Sequence, residues 1–364
     1  MSLMALLAWL YLGLLHGRFW QKGPILQPAT PRVAPDVTVV VPARDEAEAI
    51  AASISSLLAQ DYPGAFRVVL VDDNSTDGTG DIARALPGAE RLTVITGRAR
   101  PRGWAGKLWA VHQGVTESSS ELVLLTDADI THDPRHLATL VAKLESSGVE
   151  MVSEMVALRC EDWAERALIP AFVYFFALLY PFAWVNDGLR ATAGAAGGTV
   201  LIRRAALARI GGIEAIKGEL IDDCALAAKV KAGGRIWLGH SMLARSIRAY
   251  PSWRDVWKMV ARSAYVQLKF SPVLLAASTL GMALVFVVPP VSAISGSVLG
   301  LAAWAIMAAS FVPTLRRFGL NLIWAPLLPG IALFYMAATI GSAVNHYRGA
   351  GVVWKDRAYT EGGA

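Results

Sequence analysis

The sequence is poor in cysteine and in charged residues. Cys160 and Cys224 are its 2 cysteines in 364 residues, and they lack CxxC or Cys/His spacing, so neither a disulfide framework nor a zinc site is indicated. Charged residues make up 17%, below the quarter or so usual for soluble proteins. No Lys/Arg run with interleaved aromatic residues occurs, so a nucleic-acid partner is not expected. The net charge of +5 suits anionic lipid surfaces or phosphorylated substrates without choosing between them.

The charge deficit is concentrated at the two ends of the chain, which predicts membrane segments. Residues 1–17 carry no Asp, Glu, Lys or Arg and lack a basic leader and a cleavage site, which favours an uncleaved N-terminal membrane anchor. Basic residues follow it in 18–36, a proline-rich linker, and predict that the next domain is cytoplasmic. The expected location is therefore a membrane, with several passes and the next domain on its cytoplasmic face.

The C-terminal region 270–344 predicts two or three further spans. Phe270 to Leu315 has no charged residue and is long enough for two spans of about 20 residues, with a turn expected near Pro289–Pro290. A third apolar run, 318–344, contains prolines and is either a third span or a re-entrant segment. The side on which the tail 345–364 lies depends on that choice.

The region 37–268 has a different pattern, which predicts an α/β domain. Short valine-rich runs at 37–41, 67–71, 91–96 and 121–126 alternate with helical patterns near 46–59, 77–86, 105–117 and 134–146. This alternation is typical of a Rossmann-like, mostly parallel sheet. The uncharged stretch 171–185 is too short for a span and predicts an interfacial or buried helix.

Polar clusters follow three of these strands, where open α/β sheets bind ligands. Asp127 and Asp129 follow the fourth strand at alternate positions, which would place both carboxylates on one side of an extended segment. Such a pair can hold a divalent cation, Mn²⁺ or Mg²⁺, that bridges a diphosphate. A polar turn that closes the strand is the simpler alternative. Asp133, just before Pro134, is interpreted as the N-cap of the next helix.

Further residues at the same edge are candidate ligands of a nucleotide. Asp72 or Asp73 could accept hydrogen bonds from a base or ribose. An Asx turn with Ser75 or Thr76 as helix N-cap is the simpler alternative, and both can hold at once. The remaining candidates are Pro42, which is expected to end the first strand, Arg44 and Glu46 in "VPARDE", Lys107 at a helix start, and the loop glycines Gly197 and Gly198. An ordinary surface lysine and a plain tight loop are the alternatives for the last two features.

Asp222 and Asp223 are expected at the start of a helix that ends before Gly233–Gly234. An N-cap accounts for one of the two acids. A carboxylate near a reaction centre could deprotonate an acceptor hydroxyl, so this pair is the candidate for catalysis.

Taken in this order, "VPARDE", "DDNSTDGT", "DAD" and "DD" resemble the family-2 glycosyltransferases, whose domain has the GT-A fold. The resemblance implies that Asp72 and Asp73 hold the nucleotide, that Asp127 and Asp129 bind Mn or Mg, and that Asp223 is the base. Asp222 replaces the family's Glu, which leaves its role open. The Q-x-x-R-W motif of processive polysaccharide synthases is absent. "GWAGKLWAVHQG", "RSAYVQLKFSP" and "VVWKDRAY" resemble, more narrowly, the hopene-associated membrane glycosyltransferases of hopanoid-producing bacteria.

These resemblances imply a membrane-bound inverting enzyme that moves a sugar from a nucleotide-sugar donor to an isoprenoid-type lipid acceptor. A nucleotidyltransferase of similar layout is one alternative, but it would need a glycine-rich loop after the first strand, and "VPARDE" has no glycine. A non-catalytic membrane scaffold for lipid modification is the other, and it would tolerate loss of the acids.

Overall fold

The computed structural model describes residues 1–349, 352–354 and 357–359, so Lys355 and Asp356 of the tail motif lie outside the described residues. The described strands are β1 (Val37–Ala43), β2 (Phe66–Asp72), β3 (Leu92–Thr96), β4 (Leu122–Thr126), β5 (Ile130–His132), β6 (Met151–Ala157), β7 (Thr199–Arg203), β8 (Ile236–Ser246), β9 (Val352–Trp354) and β10 (Arg357–Tyr359). The described α-helices are α1 (Ser2–Leu14), α2 (Ala47–Leu58), α3 (Thr79–Arg84), α4 (Gly106–Thr116), α5 (His136–Ser147), α6 (Trp163–Leu179), α7 (Phe182–Asn186), α8 (Arg204–Arg209), α9 (Asp222–Lys231), α10 (Trp253–Gln267), α11 (Pro272–Met282), α12 (Val288–Ile294), α13 (Val298–Arg317) and α14 (Leu328–Tyr347). Short 3-10 turns lie at Ala89–Arg91, Ile213–Ile216 and Leu322–Trp324, and a π-helical turn lies at Ala283–Val287.

Eight strands form one sheet in the order β3-β2-β1-β4-β7-β6-β8-β5. Pairing is parallel from β3 to β4 and between β6 and β8, and it is antiparallel where β7 joins β4 and β6 and where β5 joins β8. The α/β, Rossmann-like fold expected from the sequence is therefore confirmed, with a mixed sheet. The antiparallel β7 has the consequence that its first residue, Thr199, lies at the same edge as the last residue of β4, Thr126.

The valine run of β1 explains why this strand is central. Every residue of β1 is buried, and alternate side chains point to opposite faces of the sheet. Val37, Val39 and Val41 pack in the core that includes α2 and α5. Val40 packs in the core that includes α4 and α9 on the other face. Helices on both faces account for the nearly continuous hydrophobic runs in the sequence.

The prediction that Pro42 ends the first strand is wrong. β1 continues through Pro42, which pairs with Val71 of β2. The ladder with β4 stops at Val40, so at Pro42 the strand has lost its second neighbour, and a residue without an N–H is tolerated there. The gap that opens between β1 and β4 is part of a cleft at this edge of the sheet.

Two predicted helix caps are also wrong. Helix α3 begins at Thr79 after Gly78, and the carboxylate of Asp77, not Ser75 or Thr76, accepts from the Thr79 N–H at 3.0 Å. Helix α5 begins at His136 with Arg135 as N-cap. Asp133 lies two residues earlier and accepts from the backbone N–H of Arg135 at 3.0 Å.

Three helical segments are long and apolar enough to cross a membrane, as judged by length and composition: Pro272–Ile294, Val298–Arg317 and Leu328–Tyr347. The turn expected near Pro289–Pro290 is not found there, because both prolines lie in the first turn of α12, directly after the π-helical turn. Proline is tolerated in the first turn of a helix, where it removes no hydrogen bond within that helix. The chain turns instead at Ser295–Ser297, with Gly296 at φ +88°. Helix α1 has 13 residues, fewer than the roughly 20 of a typical span.

The sheet domain is joined to this helical bundle through α6 and α10. Residues 171–185, expected as one helix, belong to α6 and α7, which are separated after Leu179. The hydroxyl of Tyr174 on α6 lies 2.7 Å from Ser310 Oγ on α13, and Tyr335 on α14 donates to the Leu168 carbonyl at 2.9 Å. On α10, the Tyr265 N–H donates to Ser342 Oγ of α14 at 3.1 Å. α6 therefore contacts both the bundle and the site edge.

Replacing Gly114 by alanine tests the close contact of α4 with the sheet. A Cβ at Gly114 would lie 2.4 Å from Val40 Cγ1 and 3.0 Å from Val71 Cγ2, so α4 must move away from β1 and β2. We expect a loss of about 1–3 kcal/mol, seen as a lower thermal unfolding midpoint in detergent. Gly281→Ala is the control, since that helical glycine has no neighbour within 4 Å, and its midpoint should not fall. Equal midpoints for the two variants would contradict the packing described.

Candidate active site

A cleft opens at the edge of the sheet where β1 and β4 end. Six of its lining residues are among the candidates drawn from the sequence: Pro42, Lys107, Asp127, Gly197, Asp222 and Asp223. They come from β1, the start of α4, the end of β4, the loop before β7 and the start of α9. The fold thus brings together segments that are far apart in the chain.

Lys107 lies between carboxylates from two of these segments. Its Nζ is 2.9 Å from Asp127 Oδ1 and 3.2 Å from Asp222 Oδ2. Burial by itself would lower the pKa of Lys107, but the charges of Asp127 and Asp222 outweigh it and the net shift is upward. Lys107 is therefore a permanent cation in the cleft, and the interpretation as an ordinary surface lysine does not fit.

Asp223 is the carboxylate whose proton affinity is most altered. Burial, followed by the charge of Asp222, raises the pKa of Asp223 to about 7, although Lys107 acts in the opposite direction. Its Oδ1 accepts from the N–H of Cys224 at 2.7 Å. A Cβ placed on Gly197 would lie 3.2 Å from Asp223 Oδ2, so a glycine is needed for the loop to lie this close to the acid. A carboxylate that gains and loses a proton near neutral pH is suited to general base chemistry.

Asp129 belongs to a second group at the same edge, centred on Arg248. Arg248 follows β8, and it donates from Nε to Asp129 Oδ2 at 2.7 Å and from Nη2 to Glu46 Oε1 at 2.7 Å. Burial would lower the pKa of Arg248, but the two carboxylates raise it. Arg248 was not predicted as a site residue. The available signal was an arginine just after a strand, which by itself does not tell which edge that strand reaches.

Asp127 and Asp129 do not lie on an extended segment, as their spacing had suggested. β4 ends at Thr126, and Ile130 N–H donates to the Asp127 carbonyl at 3.3 Å, which closes a turn. The two carboxylates consequently face different cations, Lys107 and Arg248. Burial raises the pKa of Asp127, Lys107 acts in the opposite direction, and the charge of Asp129 adds to the rise.

The segments after β1 and β2 form a third group. Arg44 Nη1 donates to the Asp73 carbonyl at 2.5 Å, and the Asp72 carboxylate accepts from the Ser75 N–H at 2.9 Å in an Asx turn. Asp73 is 1% exposed, and a Cβ on Gly97 would lie 3.3 Å from its Oδ1. The loop 72–79 is therefore built by its own side chains, as the turn interpretation expected.

Gly198 belongs to the loop before β7 and lies one residue beyond Gly197. A Cβ on Gly198 would lie 3.1 Å from the side chain of Val156.

Asp127 and Asp129 could supply part of the ligand set of a hard divalent cation. Among the described residues no three His, Cys, Asp or Glu side chains are grouped to hold a metal ion. Asp127 and Asp129 provide two neighbouring carboxylates of the oxygen type that Mg²⁺ and Mn²⁺ prefer. Further ligands would have to come from a diphosphate and water, which is the usual arrangement for Mg²⁺.

Comparison with known proteins agrees with this geometry. Residues 38–211, which contain β1 to β7 and the Asp127–Asp129 turn, match the glycosyl transferase family 2 profile. Over these residues the chain is similar to the family 2 glycosyltransferases. Among solved structures, a mannosyltransferase from Pyrobaculum calidifontis, in complex with GDP-Man and Mn²⁺, superposes with a TM-score of 0.56. It is 23% identical, and the match covers 94% of this chain and 99% of that one, which supports the shared GT-A fold.

Two curated relatives are also similar to this chain. It is 27% identical to the probable glycosyltransferase YdaM of Bacillus subtilis over 65% of its own length and 57% of the relative's. It is 29% identical to the undecaprenyl-phosphate 4-deoxy-4-formamido-L-arabinose transferase of Serratia proteamaculans over 36% of its length and 40% of the relative's. The matches thus span about half the length of these relatives.

The pKa of Asp223 predicts how the stability of the glycosyltransferase domain depends on pH. Because the folded pKa, about 7, lies above the ordinary value of 3.8, the acid favours folding at low pH, and this contribution is lost as the pH rises through 7. Asp223→Asn removes the cost of a buried charge. Its thermal midpoint should exceed that of the wild type by a few degrees at pH 8 and differ less at pH 5.

Glu219→Gln is the control for this measurement, because Glu219 is exposed and lies just before the same helix. Its midpoint should follow the wild type at both pH values. A midpoint of Asp223→Asn that tracks the wild type from pH 5 to pH 8 would show that Asp223 has an ordinary pKa.

Proposed function

We propose that this protein is a membrane-bound inverting glycosyltransferase that moves a sugar from a nucleotide-sugar to the hydroxyl of an isoprenoid-type lipid, of the hopanoid kind. The observation that carries the proposal is the position of Asp223, a carboxylate with a pKa of about 7 in a cleft shared with Lys107 and Asp127. The family 2 domain supports sugar transfer. Asp223, which can accept a proton near neutral pH, lines the same cleft as the fixed cation Lys107.

In this proposal the donor lies along the strand ends, with Asp72 and Asp73 at the base and ribose and Arg44 nearby. Lys107, at the start of α4, binds the diphosphate with the help of the helix N-terminus, and Glu46 holds Arg248 in place. Gly197 and Gly198 leave room for the sugar beside Asp223. Asp127 and Asp129 would hold a divalent cation, Mn²⁺ or Mg²⁺, which when bound neutralises charge on the leaving diphosphate.

The chemistry assigned to Asp223 is a single proton transfer. The acceptor hydroxyl loses its proton to the Asp223 carboxylate as its oxygen forms a bond to the anomeric carbon. The bond from that carbon to the donor phosphate oxygen breaks on the opposite face, so the configuration inverts and a nucleoside diphosphate leaves. Asp222, paired with Lys107, lies next to Asp223, and its charge contributes to the raised pKa of Asp223.

The contacts between the site and the helical bundle support a lipid acceptor. Tyr180, at the end of α6, exchanges hydrogen bonds with Gln267 at the end of α10 at 2.8 and 3.1 Å. Its ring also packs on Gly194 at the start of the glycine loop. Burial, and then Cys224, raise the pKa of Tyr180, and the charge of Asp223 adds to the rise. Tyr180 thus contacts both the glycine loop of the cleft and α10, which is hydrogen-bonded to the bundle. A lipid hydroxyl could reach Asp223 along this route.

We propose the same five segments of the chain that the sequence predicts. Residues 1–17 are an anchor, 18–36 a linker, 37–268 the catalytic domain on the cytoplasmic face of a bacterial inner membrane, 270–344 the membrane region and 345–364 the tail. The three long apolar helices support the membrane region. The undecaprenyl-phosphate transferase relative supports a polyprenyl-like acceptor, and the motif around "RSAYVQLKFSP" supports the hopanoid kind.

Membranes that contain the protein should transfer label from a nucleotide-sugar to extractable lipid. A panel of labelled UDP-, GDP- and TDP-sugars is supplied with Mn²⁺ or Mg²⁺, and the lipid extract is analysed by mass spectrometry. One donor should label an isoprenoid lipid, and EDTA should abolish the transfer. Folded protein that labels no lipid with any donor would contradict the proposal and favour a scaffold.

The pH profile identifies the base. For wild type, kcat/KM should rise with pH through a midpoint near 7, since only the ionised carboxylate of Asp223 accepts the proton. Asp223→Asn should lower kcat by about 10²–10⁴-fold. Glu219→Gln should retain the wild-type rate and profile. An Asp223→Asn variant with wild-type kcat would exclude Asp223 as the base.

A further inference from the structure

A chain of buried polar side chains lies beneath the cleft. Glu154 of β6, His136 of α5, His132 of β5 and Thr126 of β4 are 0%, 1%, 5% and 1% exposed. Glu154 Oε2 is 2.6 Å from His136 Nε2, the two histidine Nδ1 atoms are 2.9 Å apart, and His132 Nε2 is 3.3 Å from Thr126 Oγ1. The proposed chemistry uses none of these groups. Four polar side chains in contact in a protein core are costly unless their hydrogen bonds are satisfied.

The chain ends where two walls of the cleft meet. Thr126 Oγ1 donates to the Gly198 carbonyl at 2.8 Å. Thr126 directly precedes Asp127, and Gly198 directly follows Gly197, the residue packed against Asp223. This hydrogen bond therefore joins the wall that carries Asp127 to the wall that lies against Asp223.

The direction of each hydrogen bond follows from this end of the chain. Because the Thr126 hydroxyl donates to Gly198, its oxygen can only accept from His132, so His132 carries its proton on Nε2. His132 is neutral, since burial and then the facing His136 lower its pKa well below the usual range. Its Nδ1 is then an acceptor, and His136 donates from Nδ1.

The far end of the chain then requires one proton between His136 Nε2 and Glu154 Oε2. In either position of that proton the pair is neutral overall. If each hydrogen bond between these side chains ran in the opposite direction, Glu154 would carry a net negative charge. Its Oε1 has no hydrogen-bond partner among the described residues. Burial of such a charge is unfavourable, so the low-dielectric interior selects the direction that points the Thr126 hydroxyl at Gly198.

We propose that Glu154, His136 and His132 are positioning residues that orient the Thr126 hydroxyl towards Gly198 and so hold Asp127 and Asp223 at the spacing needed for sugar transfer. This inference rests on the proposed function for its effect on rate. The arrangement of protons does not depend on the function. The three residues touch neither donor nor acceptor and act through the walls of the cleft.

Two pairs of variants separate this role from packing. Thr126→Val removes the hydroxyl at nearly constant volume, whereas Thr126→Ser keeps it. Glu154→Leu removes the partner of His136, whereas the amide N–H of Glu154→Gln can take the place of the shared proton. Thr139→Val is the matched control, because Thr139 is also fully buried on α5. Its hydroxyl donates to the Arg135 carbonyl at 2.7 Å and accepts from the Ala29 N–H at 3.3 Å, and neither residue lines the cleft.

The kinetic measurement uses the full-length protein in detergent with the donor identified by the panel. We expect Thr126→Val and Glu154→Leu to lower kcat by about ten- to a hundredfold, with little change in the KM for the donor, because a small displacement of the walls misplaces the acid. Thr126→Ser, Glu154→Gln and Thr139→Val should stay near the wild type. Wild-type kcat for a folded Thr126→Val, or a matching loss in Thr139→Val, would overturn the proposal.

A second measurement is independent of catalysis. Nitrogen-15 NMR of the histidine-labelled protein, assigned with a His132→Gln variant, should show His132 protonated at Nε2 in wild type and in Thr126→Ser. In Thr126→Val, the neutral His136–Glu154 end still sets the direction, so the proton should stay on Nε2, and the Nε2 resonance should shift because it has lost its acceptor. A wild-type His132 protonated at Nδ1 would overturn the proposal. If no nucleotide-sugar is used at all, the proposed function fails, and the spectra alone decide whether the chain has the proposed direction.

Discussion

The ion pairs of Lys107 are the interaction on which the cleft depends. One ammonium lies between Asp127, which follows β4, and Asp222, which begins α9, and Asp223 is the next residue of that helix. Two carboxylates thus pair with one cation, and a third, Asp223, lines the same cleft. Without that cation their mutual repulsion and desolvation would oppose the approach of α9 to the end of β4. Burial, followed by the charge of Asp222, raises the pKa of Asp223, and the excess of negative charge suits a divalent cation.

The mixed sheet explains why these groups meet. Parallel β1, β2 and β4 carry their polar segments to one edge, as open α/β sheets do. Antiparallel β7 starts at that edge, so the glycine loop with Gly197 precedes it there. β8 ends at the same edge, which places Arg248 between Glu46 and Asp129. The cleft is therefore assembled by topology, with one cation for each of the two acids of the Asp127–Asp129 turn.

Most of the fold could be predicted because its signals are local. The valine runs at 37–41 and 67–71 and the helices between them need only periodicity, and the structure has them within a few residues. Pro42 was misjudged because its tolerance depends on where the β4 ladder stops. The turn at Asp127–Asp129 was missed because alternate spacing indicates one face only if the backbone is extended. Arg248 and the Glu154–His136–His132 chain depend on contacts between distant segments, which one sequence does not reveal. The prolines at 289–290 lie in a helix because a π-helical turn precedes them.

The central claim is that the charge of Lys107 sets the proton affinity of Asp223, and it is tested most directly by the pH dependence of kcat/KM in Lys107→Met. Burial and Asp222 raise the pKa of Asp223, whereas Lys107 lowers it. Removal of the Lys107 charge should therefore move the midpoint of the profile above 7. Lys229→Met, an exposed position on the same helix as Asp223, should leave the midpoint unchanged. A Lys107→Met profile with an unchanged or lower midpoint would contradict the account.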